Sequence, residues 1–104
     1  MSNNMHIISK KRIKEFSQQH PKAESNLETW YKIVSKAKWE NFVQLRQVFP
    51  SADLVGNFTV FNISGNNYRL IALVDYQYQE VYIRHILTHA EYDKQNWKQD
   101  PWYT

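Results

Sequence analysis

Leu27, Trp30, Tyr31 and Val34 fall at i, i+3, i+4 and i+7, the apolar stripe of an amphipathic helix. Ile33 and Ala37 widen that stripe. Upstream, Ile13 and Phe16 mark the apolar side of an earlier helix over residues 10–19, with Ser9 placed to cap it. Pro21 breaks the two apart and suits the first turn of the second helix. His6-Ile7-Ile8 is short and apolar, an edge-strand pattern, and residues 41–48 form a third short helix or an irregular turn before Pro50. Past residue 58 the pattern changes. Residues 58–63, 68–76 and 81–87 are rich in β-branched and aromatic side chains and are separated by turns at Ser64-Gly65-Asn66-Asn67 and at residues 77–80. Thr88-x-x-Glu91 is a capping-box pattern that starts a short last helix at His89. The order predicts an α+β fold: two N-terminal helices on one face of a small antiparallel sheet, then a short C-terminal helix, in a single domain over residues 1–104.

The turns also predict register. A loop at 64–67 pairs Ile63 with Tyr68 and sets Asn62 opposite Arg69. A loop at 77–80 pairs Tyr76 with Val81, sets Leu73 opposite Arg84 and sets Arg69 opposite Thr88, beside His89. Because side chains alternate faces along a strand, Phe61, Ile63, Tyr68, Leu70, Ala72, Val74, Val81, Ile83 and Leu87 make an apolar face for the helices, with His85 packed on it. The other face carries Asn62, Arg69, Tyr82 and Arg84 among Val60 and Ile71. A slip of one residue in either hairpin inverts this assignment.

Composition narrows the classes. The 104 residues suffice for one modest core, and 42% hydrophobic with 22% charged residues is a globular balance. Cysteine is absent, which excludes a disulfide-stapled module, a thiolate nucleophile and Cys-ligated metal, and makes the cytoplasm the default location. No apolar run is long enough to span a membrane, and the first residues lack a signal-peptide core. Residues 1–50 hold nine Lys or Arg against four Asp or Glu, and residues 51–104 hold four against six. The basic half, with Lys10, Lys11, Arg12 and Lys14 on one helix, points to a polyanion or an acidic protein as partner.

The predicted geometry gathers Asn62, Arg69, His89, Tyr92 and Lys94 at one end of the sheet. His89 and Tyr92 are three apart and share a helical face. Arginine binds a phosphate bidentately, and histidine serves as general acid or base near neutral pH. No metal-ligand spacing, acidic pair or Ser-His-Asp pattern competes, so the cluster suits phosphate chemistry with neither metal nor cofactor. Each residue also has a plainer reading. Asn62 is a strand-to-turn residue, Arg69 an ion-pair partner of Asp75 or Asp93, His89 a solvated helix start, Tyr92 a core residue, and the basic helix a soluble face. Arg84, remote from this end, reads as structural.

Val60-Phe61-Asn62-Ile63-x-Gly65-Asn66-x-Tyr68-Arg69-Leu70, then Tyr82-Ile83-Arg84 and Thr88-His89-x-Glu91-Tyr92-Asp93-Lys94, resembles the HigB-type toxins of the RelE/ParE superfamily. Met5-His6-Ile7-Ile8-Ser9 and Val48-Phe49-Pro50-Ser51 fit as well, so the resemblance spans nearly the whole chain. It implies a RelE-like fold and a ribosome-dependent mRNA endoribonuclease of a type II toxin–antitoxin pair. Such an enzyme cuts by attack of the ribose 2′-OH on the next phosphate, without a metal. It implies a HigA-type helix-turn-helix antitoxin and mRNA on the ribosome as partners. Arg69 matches the strand arginine that holds the scissile phosphate, and His89 and Tyr92 match the region of the acid and base, with the base open between them. Asn62, Lys94 and the first-helix cations Lys10, Lys11, Arg12 and Lys14 are the RNA contacts expected beside them. The strand before Gly65 has no lysine, where some relatives carry them. Two other readings stay open: a ParE-like toxin with a non-RNA target, and a non-catalytic RNA- or protein-binding module.

Overall fold

The computed structural model describes residues 4–104. Its strands are β1 (His6–Ile8), β2 (Asp53–Val55), β3 (Phe58–Ile63), β4 (Tyr68–Asp75) and β5 (Glu80–Thr88). Its α-helices are α1 (Lys10–Gln19), α2 (Glu24–Ser35), α3 (Phe42–Val48) and α4 (His89–Asp93). The strands form one sheet in the order β1-β5-β4-β3-β2. β2 to β5 are antiparallel neighbours, while β1 lies parallel to β5, so the sheet is mixed rather than purely antiparallel. β1 leads into α1 and α2 instead of a hairpin, which frees it to enter parallel at the far edge.

The helices pack on one face. Ile13 of α1 and Leu27, Trp30 and Val34 of α2 are buried against Phe61, Ile63, Leu70, Ala72, Val81 and Ile83. The Trp30 and Phe61 rings meet edge to face at 5.3 Å. Caps follow the sequence in part. The Asn41 side chain accepts from Gln44 N at the start of α3, and Thr88 and Glu91 close a full capping box on α4. Ser9 holds the N-cap position of α1 without a side-chain cap bond. Pro21 opens a 3-10 turn over Pro21–Ala23 that feeds α2.

Register confirms one hairpin and corrects the other. Asn62 is opposite Arg69, as the first turn requires. The second turn begins one residue early: Asp75 pairs with Glu80, its carboxylate accepts Tyr78 N at 3.0 Å, and Gln79 takes a left-handed φ of 56°. Leu73 therefore faces Tyr82, not Arg84. A bulge in β5 opposite the Ile71/Ala72 step then inserts one residue, and Arg69 faces Leu87 instead of Thr88. The bulge swaps faces. Leu87 leaves the helix side, and His85 turns to Asp100.

That second face is not left open. Phe58, Val60 and Ile71 are buried under Trp97 and Tyr103, which belong to a segment after α4 that the hydrophobic pattern left unassigned. Asp100 fastens the segment. Arg84 donates to its carboxylate from Nε at 2.9 Å and from Nη2 at 2.8 Å, His85 Nε2 lies 2.8 Å away, and Trp102 N donates at 2.8 Å. Arg84 also stacks over the Trp102 ring at 3.8 Å. At the other end, Asn57 bonds Trp102 O and Thr104 N. Gly56, at φ 59°, leaves room there for Thr104 O and the Tyr103 ring, both of which a β-carbon would strike.

The Arg84 guanidinium holds the Asp100 carboxyl well below the usual carboxylate range, and Trp102 N–H and His85 add to the effect. A lowered folded-state value means that the unfolded chain binds more protons as the pH falls below about 4, the ordinary carboxylate range. The Asp100 contribution is therefore complete above that point and lost as the medium is acidified. Urea titrations from pH 7 to pH 2 should show wild-type stability falling more steeply below pH 4 than that of Asp100→Asn. At pH 7 the variant should be less stable by about 3 kcal/mol, since it strands a half-buried guanidinium. Parallel pH profiles would rule the clamp out.

Candidate active site

The Ser64–Asn67 turn and the start of α4 build the site at the open end of β4. Ser64 and Gly65 both take left-handed conformations, with φ of 53° and 64°, and Asn67 N closes the turn onto Ser64 O at 3.2 Å. Asn26 of α2 donates to Ser64 Oγ at 2.6 Å and ties the turn to the helical layer. Two residues past the turn, Arg69 is 8% exposed, and its guanidinium reaches back over the turn. Nη1 donates to Asn66 O at 3.1 Å and Tyr68 O at 3.2 Å. Nη2 donates to Asn66 Oδ1 at 3.0 Å and lies 3.3 Å from His89 Nδ1.

His89 is the first residue of α4, and its own N–H donates to Asn67 O at 3.0 Å. The turn thus positions both the arginine and the histidine. Across the ring, Nε2 lies 3.2 Å from Asp93 Oδ2, one helical turn on. A guanidinium has donors only. Nδ1 is therefore the accepting nitrogen, and Nε2 carries the proton toward Asp93. Tyr92 lies beneath, with its ring centroid 5.5 Å from Arg69 Cζ, and stacks on Trp97 at 5.4 Å with an interplanar angle of 9°. Burial raises the pKa of the Tyr92 hydroxyl, and the nearby Arg69 charge offsets this only in part. The phenol stays protonated at neutral pH.

Arg69 thus touches both His89 and Tyr92, the neighbours that the hairpin geometry predicts. Arg69 forms no ion pair with Asp75 or Asp93 among the described residues. Asn62 stays its cross-strand neighbour, but no hydrogen bond joins the two side chains among the described residues. Lys94, at the end of α4, lines a neighbouring cleft of about 360 Å³ with His85, Leu87, Glu91, Asn96 and Trp97. The α1 cations lie on the opposite layer. Lys10 pairs with Glu28 at 3.7 Å and lies over Tyr31, and Lys11 pairs with Glu15 at 4.0 Å. Arg12 and Lys14 are exposed, without ion pairs among the described residues. Sequence reasoning missed Asn66 and missed Asp93 as a partner of His89. The i,i+4 spacing of His89 and Asp93 was the available signal for the second.

Comparison with known proteins fits this geometry. Residues 23–95 match the family model described as HigB toxin, RelE-like toxic component of a toxin-antitoxin system. The chain belongs to the HigB toxin family. It is 34% identical over 92 residues to the mRNA interferase toxin HigB of Escherichia coli K12, covering 86% of this chain and 88% of that one. The mRNA interferase HigB of Shigella flexneri matches to the same extent. That of Escherichia coli CFT073 is 31% identical over 93 residues, 86% of this chain and 90% of its own. The β1-αα-β antiparallel core and the short closing helix are compatible with the RelE-like fold of the family.

The donor-only guanidinium predicts the free-state tautomer of this family member. Long-range ¹H–¹⁵N correlation spectra should show His89 protonated at Nε2 in its neutral form. Arg69→Ala should relax that bias toward a mixture. A wild-type ring protonated at Nδ1 would contradict the contact.

Proposed function

We propose that this HigB family member is the toxin of a toxin–antitoxin pair and acts as an mRNA endoribonuclease. The observation that carries the reading is the contact of Arg69, His89 and Tyr92: an anion holder, a base and a protonated phenol around one point. Ribose 2′-OH attacks the adjacent phosphorus, and the bond to the 5′ oxygen breaks, leaving a 2′,3′-cyclic phosphate and a 5′-OH. The scissile phosphate accepts from Arg69, and Nη2 moves from His89 Nδ1 to a phosphate oxygen. Nδ1 is then free to take the 2′-OH proton, while Asp93 holds the opposite nitrogen and stabilises the imidazolium that forms. Tyr92, kept protonated by burial, gives its proton to the leaving oxygen. Solvent restores both groups. Arg69 counters the charge that grows on the phosphoryl oxygens, usually the largest single contribution in such sites.

Asn62 and Lys94 serve as RNA contacts on either side, and the cleft at Lys94 offers the neighbouring nucleotide room. Arg12 and Lys14, with the paired Lys10 and Lys11, draw a polyanion to the helical layer, an attraction that salt weakens. The substrate we infer is mRNA on the translating ribosome, cut in the cytoplasm without a metal. The neutralising partner is a HigA-type helix-turn-helix antitoxin. Family membership supports the toxin–antitoxin part of this reading, and the relatives named mRNA interferase support the chemistry.

Cleavage of mRNA on translating ribosomes, followed by mapping of 5′ ends, tests it. Arg69→Ala, His89→Ala and Tyr92→Phe should each lose roughly 10²–10⁴-fold in rate while remaining folded. Arg84→Ala should lose stability by about 3 kcal/mol yet cut at nearly the wild-type rate per folded molecule. Expression alone should arrest growth, and co-expression of the antitoxin should relieve it. Wild-type cleavage by both Arg69→Ala and His89→Ala would remove the site assignment. Harmless expression of the folded chain would remove the toxin reading.

A further inference from the structure

A guanidinium has five N–H donors on three edges. In Arg69 the end-on edge is closed by one residue: Asn66 accepts from Nη1 with its carbonyl and from Nη2 with its side-chain Oδ1. The outer edge of Nη1 is closed by Tyr68 O. What remains is the edge formed by Nε and the second proton of Nη2. On this edge Nη2 meets only the ring nitrogen of His89, its other bond going to Asn66, and Nε–H has no partner among the described residues. That side-on edge is also the one with the two parallel donors that match two oxygens of a phosphate.

We propose that Asn66 is a positioning residue for the cleavage reaction: it clamps the Nη1–Nη2 end of Arg69 so that the Nε–Nη2 edge is presented to the scissile phosphodiester beside His89 Nδ1. The inference rests on the reading of Arg69 as the phosphate-holding group. In this role Asn66 acts on the arginine and not on the RNA. Without it, the long arginine side chain regains its rotamers, and either of two edges can meet the phosphate, only one of which puts a phosphate oxygen next to Nδ1. The clamp is anchored from below. The left-handed pair Ser64-Gly65 turns the chain so that both acceptors of Asn66 face back toward Arg69, and the Asn26 bond to Ser64 fixes the turn to α2. Asn66 itself is solvent-exposed and belongs to neither core, and Arg69 is the one group its side chain bonds among the described residues.

Single-turnover cleavage of ribosome-bound mRNA tests this with Asn66→Ala, Asn66→Asp, Arg69→Ala and the Asn66→Ala/Arg69→Ala double variant. Asn66→Ala keeps the main-chain acceptor and loses Oδ1. It should slow the chemical step roughly 10- to 100-fold, as small misplacements of a reacting group do, with KM for the ribosome–mRNA complex and the thermal midpoint little changed. Asn66→Asp, which keeps an acceptor at the same atom but sets a carboxylate on the guanidinium, should keep the separate Nη signals that Asn66→Ala loses, yet should not recover the rate, because it neutralises the charge that draws the phosphate. The double variant should be no slower than Arg69→Ala alone, because the side chain acts through that arginine. In the wild-type protein, ¹⁵N spectra of the guanidinium should resolve separate Nη signals for Arg69, the mark of a group that does not rotate freely. Wild-type cleavage by Asn66→Ala, full additivity in the double variant, or averaged Nη signals in the wild type would each overturn the proposal. Wild-type cleavage by Arg69→Ala would instead overturn the phosphate reading beneath it. Loss in Arg69→Ala without loss in Asn66→Ala would leave that reading intact and remove the clamp alone.

Discussion

β5 carries one residue more than β4 needs, and most of what is distinctive in the molecule follows from where that residue falls. A bulge leaves an extra side chain on one face and turns every later residue over. Here it brings Arg84 and His85 together on the Asp100 carboxylate, and it moves Leu87 beside Arg69 on the face away from the helices. The first consequence is a place for the C-terminal segment to fasten. The second is an apolar neighbour for a buried arginine. With regular alternation, Leu87 would stay under α1, and Arg84 and His85 would diverge to opposite faces.

The two arginines of the sheet show how surroundings divide labour between identical side chains. Arg84 meets a carboxylate whose side chain is only 2% exposed, and a Trp102 ring covers its face. Its charge is neutralised in place, so it has little attraction left for an anion. Arg69 is just as sheltered, but it is surrounded by carbonyl, amide and imidazole acceptors and an aromatic ring. Its hydrogen bonds are nearly satisfied while its charge is not. A buried cation of that kind favours an incoming anion far more than an exposed lysine does, since little solvent has to be stripped away when the two meet.

Much of this was legible in the residues. The helical stripe of α2, the change of pattern at residue 58, the Ser64–Asn67 turn and the Thr88–Glu91 capping box were local signals, and local chemistry decided them. The pairing of Asn62 with Arg69 followed from turn length alone. The parallel entry of β1 did not, because nothing near His6 encodes a partner more than seventy residues away. Nor did the second register, since an Asp75 side chain claiming Tyr78 N starts the turn one residue early, which shifts each cross-strand partner by two, and the bulge takes back one of the two. The contacts of Arg69 with His89 and Tyr92 survived because only one residue of shift is left at the far end of β5. Asn66 was invisible as a partner of Arg69: its role depends on two left-handed residues folding the turn back on itself. The tail over Phe58, Val60 and Ile71 escaped because Trp97 and Tyr103 have no periodicity to announce a face.

The parallel pairing of β1 with β5 also sets an order of events during synthesis. His6 is made long before its partner Glu80, which follows α1, α2, α3, β2, β3 and β4. Contacts of such long range are the slow ones to form, because the entropy of closing the intervening chain is lost before the pairing repays it. At translation speeds of roughly 5–20 residues per second, the nascent chain spends seconds with β1 unpaired and with His89 and Tyr92 not yet made. A growing copy therefore holds neither a closed sheet nor an assembled cluster until β5 and α4 have been made, and both become possible within a few residues of each other.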